Sequence, residues 1–227
     1  TADITMSLIL NCARKTEYFE SSLRRGKWNS GGTVYGFDLR GKVLGVVGCG
    51  SIGKQVIKRA QAFGMEIKYY KRNRLSEQEE AELRLESGAY ASTLHELLRQ
   101  SDVVTVHTPL NASTRHLIST EEFNVMRPHA YLINTSRGAV VDEQALVTAV
   151  REGKIAGCGL DVFENEPSIT PELLTFDNCV LYPHIGTQTR DTRVEMETLA
   201  MKNIESVLIH GQRPVTPVPE QKNFTRK

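Results

Sequence analysis

The sequence predicts an α/β fold: a doubly wound parallel sheet with linking helices at both ends. Two observations carry that reading. Short apolar runs recur at 42–48, 65–70, 102–107, 130–136, 155–161 and 179–183, with helix-like segments between several of them. Strands that alternate with helices argue for a parallel sheet covered on both faces. A glycine-rich turn also stands between the first run and the helix that follows it.

Taken in order, residues 4–25 read as a linking helix. Ile4, Leu8 and Cys12, with Ile9 and Ala13, recur at helical spacing, and basic residues collect toward the end, where they suit the helix dipole. Residues 26–186 read as one domain. It opens on a loop from Gly26 to Gly41 that carries the only tryptophan, Trp28. Then come a strand ("KVLGVVG"), a turn ("CGSIG"), a helix ("KQVIKRAQAFG") and a second strand ("MEIKYY"). Further helices are expected at "STLHELLRQ" and "DEQALVTAVREG", between the later strands. A closing helix is expected over 189–210, within a segment 187–212, and the Pro-rich, charged stretch 213–227 reads as a loose tail.

Composition narrows the class. With 227 residues, 40% hydrophobic and 24% charged, the chain has an ordinary globular make-up. A net charge of +1 gives no general attraction to nucleic acid or to a membrane surface, and no apolar run reaches bilayer length. Cys12, Cys49, Cys158 and Cys179 sit in apolar segments without short-range pairing, which reads as buried thiols in a reducing, cytoplasmic compartment. The first residue is Thr, which suggests processing or a piece of a longer protein, and no basic region precedes "ITMSLILNCA" as a secretory signal would require.

Gly48, Gly50 and Gly53 in "VVGCGSIG" have the GxGxxG spacing of a dinucleotide-binding turn. The first glycine permits a tight turn, the second lets backbone approach a pyrophosphate, and the third lets helix pack on strand. The helix N-terminus adds free N–H groups and a positive dipole end. By itself the motif is weak; a strand before it and a helix and strand after it make it specific. At the end of the second strand, where an acid often holds a ribose hydroxyl, stand Lys71, Arg72 and Arg74. They would attract a 2′-phosphate, which points to NADP, with NAD as the other cofactor the turn can accept. The structural alternative is a solvated basic loop balanced by the acidic "SEQEEAE" just downstream.

In the second half, Arg137 and Asp161 each follow an expected strand, Glu166 lies in the loop after Asp161, and His184 follows the last strand. Such strand ends face the ligand crevice of an open α/β sheet. Arg137 offers a planar fork to an α-keto acid. His184, with its protonated form favoured by Glu166, can pass a proton to and from a carbonyl oxygen. Asp161 can hold the nicotinamide carboxamide or a catalytic neighbour. His107 follows a strand and is expected near the cofactor; the remaining histidines read as packing or surface residues.

These blocks resemble the D-isomer-specific 2-hydroxyacid dehydrogenases, in particular the glyoxylate/hydroxypyruvate reductase branch. The similarity runs from "TADITMSLILNCAR" through "LRGKVLGVVGCGSIGKQV", "DVVTVHTPLNASTRHLI" and "MRPHAYLINTSRGAVVDEQAL" to "GKIAGCGLDVFENEP" and "NCVLYPHIGTQTRDTR". It implies a Rossmann-type domain with Arg137 as substrate anchor and Glu166 paired with His184, the acid/base. It places Gly48, Gly50, Ser51, Ile52 and Gly53 around the pyrophosphate, and Thr108, Pro109, Thr135, Ser136, Asp161 and Gly186 along the cofactor. It implies reduction of glyoxylate, hydroxypyruvate or a similar 2-keto acid with NADPH, and a homodimer formed through the cofactor domain with the Gly26–Gly41 arm as the contact. A substrate-domain segment of roughly 100 residues, an ordinary domain size, is expected ahead of Thr1. A fragment of this kind could also act without turnover, as a dinucleotide-sensing or dimerising module.

Overall fold

A computed structural model describes residues 1–28 and 34–218. The chain divides into two units, Thr1–Gly186 and Thr187–Lys227. The first holds a six-stranded, all-parallel sheet: β1 Val43–Val47, β2 Glu66–Tyr70, β3 Val103–Val106, β4 Tyr131–Asn134, β5 Gly157–Leu160 and β6 Cys179–Leu181. The spatial order is β2-β1-β3-β4-β5-β6. Each strand lies within one of the six apolar runs. β3, β4 and β5 are buried at every position, which is why they read as continuous apolar runs and not as alternating ones.

The helices are α1 Ala2–Arg14, α2 Thr16–Arg24, α3 Ser51–Ala62, α4 Glu77–Glu82, α5 Leu94–Gln100, α6 Thr120–Val125, α7 Glu143–Arg151 and, in the second unit, α8 Arg190–Ile204. Apolar side chains divide between the two sheet faces. Leu44, Val46, Val103 and Ile133 pack with Leu8, Ile9, Val56 and Ile57 of α1 and α3. Val47, Val104, Val106 and Leu132 pack with Leu97, Phe123 and Leu146 of α5, α6 and α7. The winding direction reverses between β1 and β3, and ligands of open α/β sheets bind in the crevice beyond the strand ends at such a reversal.

Three features differ from the sequence reading. The expected helix over 4–25 is two helices, broken at Lys15, which takes the left-handed conformation (φ 51°, ψ 39°). The cause is non-local: the Phe37 N–H donates to the Ala13 carbonyl at 2.8 Å, replacing the helical partner four residues on. The acidic stretch after the basic corner forms α4, started by a capping box between Ser76 and Glu79. Past α8, Glu205–Ile209 makes a π-helical turn. The centre of the expected dimerisation arm, 29–33, and the end of the tail, 219–227, lie outside the described residues. Among the described residues no helix is long and apolar enough to cross a membrane.

One buried acid ties the N-terminal edge of the sheet together. Asp102, just before β3, accepts the Val43 N–H at 2.8 Å, the Arg127 Nη1 at 2.9 Å and the His129 Nε2 at 2.8 Å. Burial alone would raise this carboxyl, but the three donors outweigh it and hold it below the usual carboxylate range. A depressed folded-state pKa contributes stability above the unfolded value, about 3.9, that is lost as pH falls through the folded one. Asp102→Asn should therefore lower unfolding stability by about 2 kcal/mol near neutral pH, read as a shift in urea midpoint at constant m. The difference from wild type should shrink below about pH 4; a difference that persists undiminished there would show that ionisation of Asp102 is not the cause.

Candidate active site

The glycine turn closes the C-terminal end of β1. Gly48 has φ 94°, donates its N–H to the Tyr70 carbonyl at 2.9 Å, and passes so close to His107 that a Cβ would meet the His107 carbonyl oxygen at 2.8 Å. A Cβ at Gly53 would meet the Gly48 oxygen at 2.3 Å, so α3 packs on the turn only without a side chain there. Nothing lies within 4 Å of a Cβ built at Gly50, where the backbone faces open space. Ser51 and Ile52 begin α3, and no side chain caps that end. The turn thus presents uncapped N–H groups and a positive helix end to an anion. Cys49 is buried inside it, and burial pushes its thiol up to about 12 against the pull of Lys71 and Lys54.

Beside the turn lies a cleft of about 430 Å³ at the β1/β3 reversal. Gly48, Gly50, Lys71, Arg72, Thr108 and Pro109 are among the residues that line it. Arg72 reaches across it, donating from Nη2 to the Ser113 Oγ at 2.8 Å. Arg74 does not line this cleft. Its Nε and Nη2 donate to Glu80 at 2.9 and 2.8 Å, and its guanidinium stacks 5.4 Å from the Tyr90 ring. The acidic helix thus neutralises one of the three cations, and Lys54 pairs with Glu79 of the same helix. His107 lines the cleft, and burial lowers its pKa to about 4. Its Nδ1 and the Thr108 Oγ1 are buried without partners. Unpartnered buried polar atoms, open backbone at Gly50 and two cations in the lining fit a phosphate-bearing dinucleotide.

The remaining site residues stand at the C-terminal ends of β4, β5 and β6. The His184 Nδ1 is 2.7 Å from the Glu166 Oε2. Burial alone would raise the Glu166 carboxyl, yet the His184 hydrogen bond, the Phe163 N–H at 2.9 Å and the charges of His184 and Arg137 hold it below the usual range. An ionised carboxylate only accepts, so Nδ1 carries the hydrogen and Nε2 is left for a substrate. His184 itself has φ 54°. Its loop is held by Asp161, a buried carboxylate that accepts the Ile185 and Gly186 N–H groups at 2.7 and 2.8 Å. Burial pushes Asp161 up, against those two donors.

Arg137 donates to the Ser136 carbonyl at 2.7 Å and lies close enough to Glu166 for its charge to lower that carboxyl. Ser136 donates from N and Oγ to the Asn134 Oδ1 at 3.0 and 2.8 Å, and Thr135 shares a 2.9 Å hydrogen bond with Thr5 of α1. The other histidines meet structural acids: His95 with Glu122, His129 with Asp102, His116 with Glu164 and His210 with Glu205.

Three further residues shape the site and escaped the sequence reading. Buried Asn134 bridges Ser136 and the Arg137 carbonyl, to which its Nδ2 donates at 3.0 Å. Gly138 lets the Arg137 turn sit on the next loop, because a Cβ there would lie 1.9 Å from the Phe163 carbonyl carbon. Buried Glu143, at the start of α7, accepts the Glu164 N–H at 2.9 Å and is hydrogen-bonded by the Thr170 hydroxyl, so it grips the loop that carries Glu166. An Asn ending a strand and an Asp-Glu pair opening a helix are the available sequence signals, and both are faint.

The chain is similar in sequence and fold to known proteins. The profile described as "D-isomer specific 2-hydroxyacid dehydrogenase, NAD binding domain" matches residues 6–186. The chain is 44% identical over 223 residues to 4-methyl-2-oxopentanoate reductase A of Aspergillus oryzae, covering 98% of this chain and 65% of that one. It is 45% identical over 210 residues to a glyoxylate reductase of Thermococcus litoralis, covering 90% and 62%. Among solved structures, an NADPH-dependent glyoxylate/hydroxypyruvate reductase of Sinorhizobium meliloti, in complex with NADP and malonate, superposes with a TM-score of 0.91 at 35% identity, covering all of this chain and 69% of that one. The chain thus spans a little under two thirds of the length of the two sequence relatives. Matched by the cofactor-domain profile over most of its length, it belongs to the D-isomer specific 2-hydroxyacid dehydrogenases.

Proposed function

We propose that this chain is the cofactor-binding part of a reductase that converts glyoxylate, hydroxypyruvate or a similar short 2-keto acid to the D-2-hydroxy acid with NADPH. The observation that carries this reading is the 2.7 Å His184–Glu166 pair, with the Arg137 charge acting on the same carboxylate. The names of the glyoxylate reductase relatives support the substrate class.

A bound nicotinamide dinucleotide supplies the hydride. The chain's own residues manage charge and protons. Arg137 anchors the keto acid carboxylate through its guanidinium. Glu166 holds the His184 ring through Nδ1, so that Nε2 faces the substrate, donates a proton to the carbonyl oxygen and takes it back in reverse. Asp161 keeps the His184 loop in place, and Gly186 is part of that hold. Gly48, Gly50, Ser51, Ile52 and Gly53 receive the pyrophosphate; Thr108, Pro109, Thr135 and Ser136 follow the cofactor toward Arg137. Lys71 and Arg72 bind the 2′-phosphate, while Arg74 shares the corner through Glu80.

The assembly follows from the same reading: a homodimer through the cofactor domain, supported by Trp28 and Tyr35, which are 78% and 80% exposed on the expected arm. Four buried free thiols support a cytoplasmic setting.

Mixing the chain with NADPH and glyoxylate and following the nicotinamide absorbance tests the reading. Turnover supports the reductase reading; tight NADPH binding without turnover would leave this chain a dinucleotide-binding module. Neutralising Lys71 and Arg72 together should weaken NADPH about ten- to a hundredfold and NADH little, by calorimetric titration. Equal losses for both cofactors would remove the 2′-phosphate role. In the enzyme that contains this chain, His184→Asn should lower kcat by about a hundredfold or more with NADPH affinity retained; unchanged kcat would exclude His184 as the proton donor.

A further inference from the structure

Outside the proposed active site, Cys158 of β5 and Cys179 of β6 are direct partners in the parallel register. Their sulfurs are 3.2 Å apart. Neighbouring strands lie about 4.8 Å apart, inside the Cα separations of about 4.4–6.8 Å that a disulfide spans. The sulfurs need to close by only roughly 1 Å to reach bonding distance. Cys158 is fully buried, and Cys179 is 8% exposed. Cys179 forms part of the wall of a second open cleft, about 390 Å³, bounded by Asn11, Tyr18, Leu174 and Phe176. That cleft shares no lining residue with the dinucleotide cleft.

We propose that Cys158 and Cys179 are a redox-modification site, a dithiol that a small peroxide entering by this second cleft converts to a cross-strand disulfide. Exposure assigns the roles: Cys179 reaches the second cleft and is the attacking sulfur, reacting as its thiolate, and the fully buried Cys158, which donates its S–H to Cys179, is the resolving thiol. The Cys179 sulfur attacks one peroxide oxygen, the O–O bond breaks, and one water leaves, giving a sulfenic acid. The Cys158 sulfur then attacks the Cys179 sulfur; the S–S bond forms, the S–O bond breaks, and the hydroxyl departs as water with the Cys158 proton. In balance, two thiols and hydrogen peroxide give one disulfide and two waters. The sulfurs are oxidised and the peroxide oxygens reduced.

The link would join the strands that lead to Asp161 and to the His184 loop, and it stands independently of the reductase reading. The test exposes the folded chain to hydrogen peroxide, removes the peroxide, unfolds the chain in guanidinium with N-ethylmaleimide to trap every free thiol, and maps the peptides by mass spectrometry. Two of the four thiols should disappear, a peptide pair linked through Cys158 and Cys179 should appear, and dithiothreitol should restore both thiols. Cys179→Ser and Cys158→Ser should each abolish the linkage. Retention of all four thiols while added glutathione is oxidised would overturn the proposal. So would linkage through Cys12 or Cys49, or oxidation that stops at sulfinic acid. The wild-type map decides the matter even if a variant fails to fold.

Discussion

The geometry of the His184–Glu166 pair depends on one buried carboxylate. Asp161 leaves the end of β5 inside the protein and receives two successive backbone N–H groups from the segment after His184. A histidine at φ 54° is costly to hold without such a clamp. Glu166 comes from the same loop as Asp161, and Glu143 grips the middle of that loop. The distance between imidazole and carboxylate therefore follows from the register of β5 with its neighbours more than from the pair itself.

Along the C-terminal edge of the sheet the work is divided. The ends of β1, β2 and β3 make a cleft whose polar demand is unmet: an uncapped helix, open glycine backbone and two orphaned buried atoms. The ends of β4, β5 and β6 make a site whose polar demand is nearly all met internally, leaving exposed the groups that would meet a substrate. Rigid support on one side and unfilled donors on the other suit a protein that binds one large anion and acts on a small one.

The central strands were legible because burial on both faces leaves continuous apolar runs; β2, an edge strand with only Tyr69 fully buried, was legible from its place after the glycine turn and helix. The glycine turn was legible because its spacing reflects contacts made within a few residues. The break at Lys15 was not, since the competing donor, Phe37, lies on a distant segment. Helix α4 lacks an apolar stripe and is held by its cap and by ion pairs to Lys54 and Arg74. That pairing also explains why three adjacent cations do not act alike: which of them faces the cleft is decided by an acid six residues on from Arg74. Arg137, Glu166 and His184 could be named from the sequence as a set at strand ends. Asn134, Gly138 and Glu143 could not, because a hydrogen-bonding Asn, a close approach and a buried acid gain their meaning only from loops brought alongside by the fold.

Cys49 sits between the two glycines nearest the expected pyrophosphate, and its high pKa has a consequence for the chemistry of the turn. At physiological pH the sulfur stays protonated and adds no negative charge where an anion must dock. It is correspondingly a poor nucleophile, so electrophiles that label thiolates would pass it by. The most intimate part of the nucleotide cradle is chemically quiet even though it contains a cysteine.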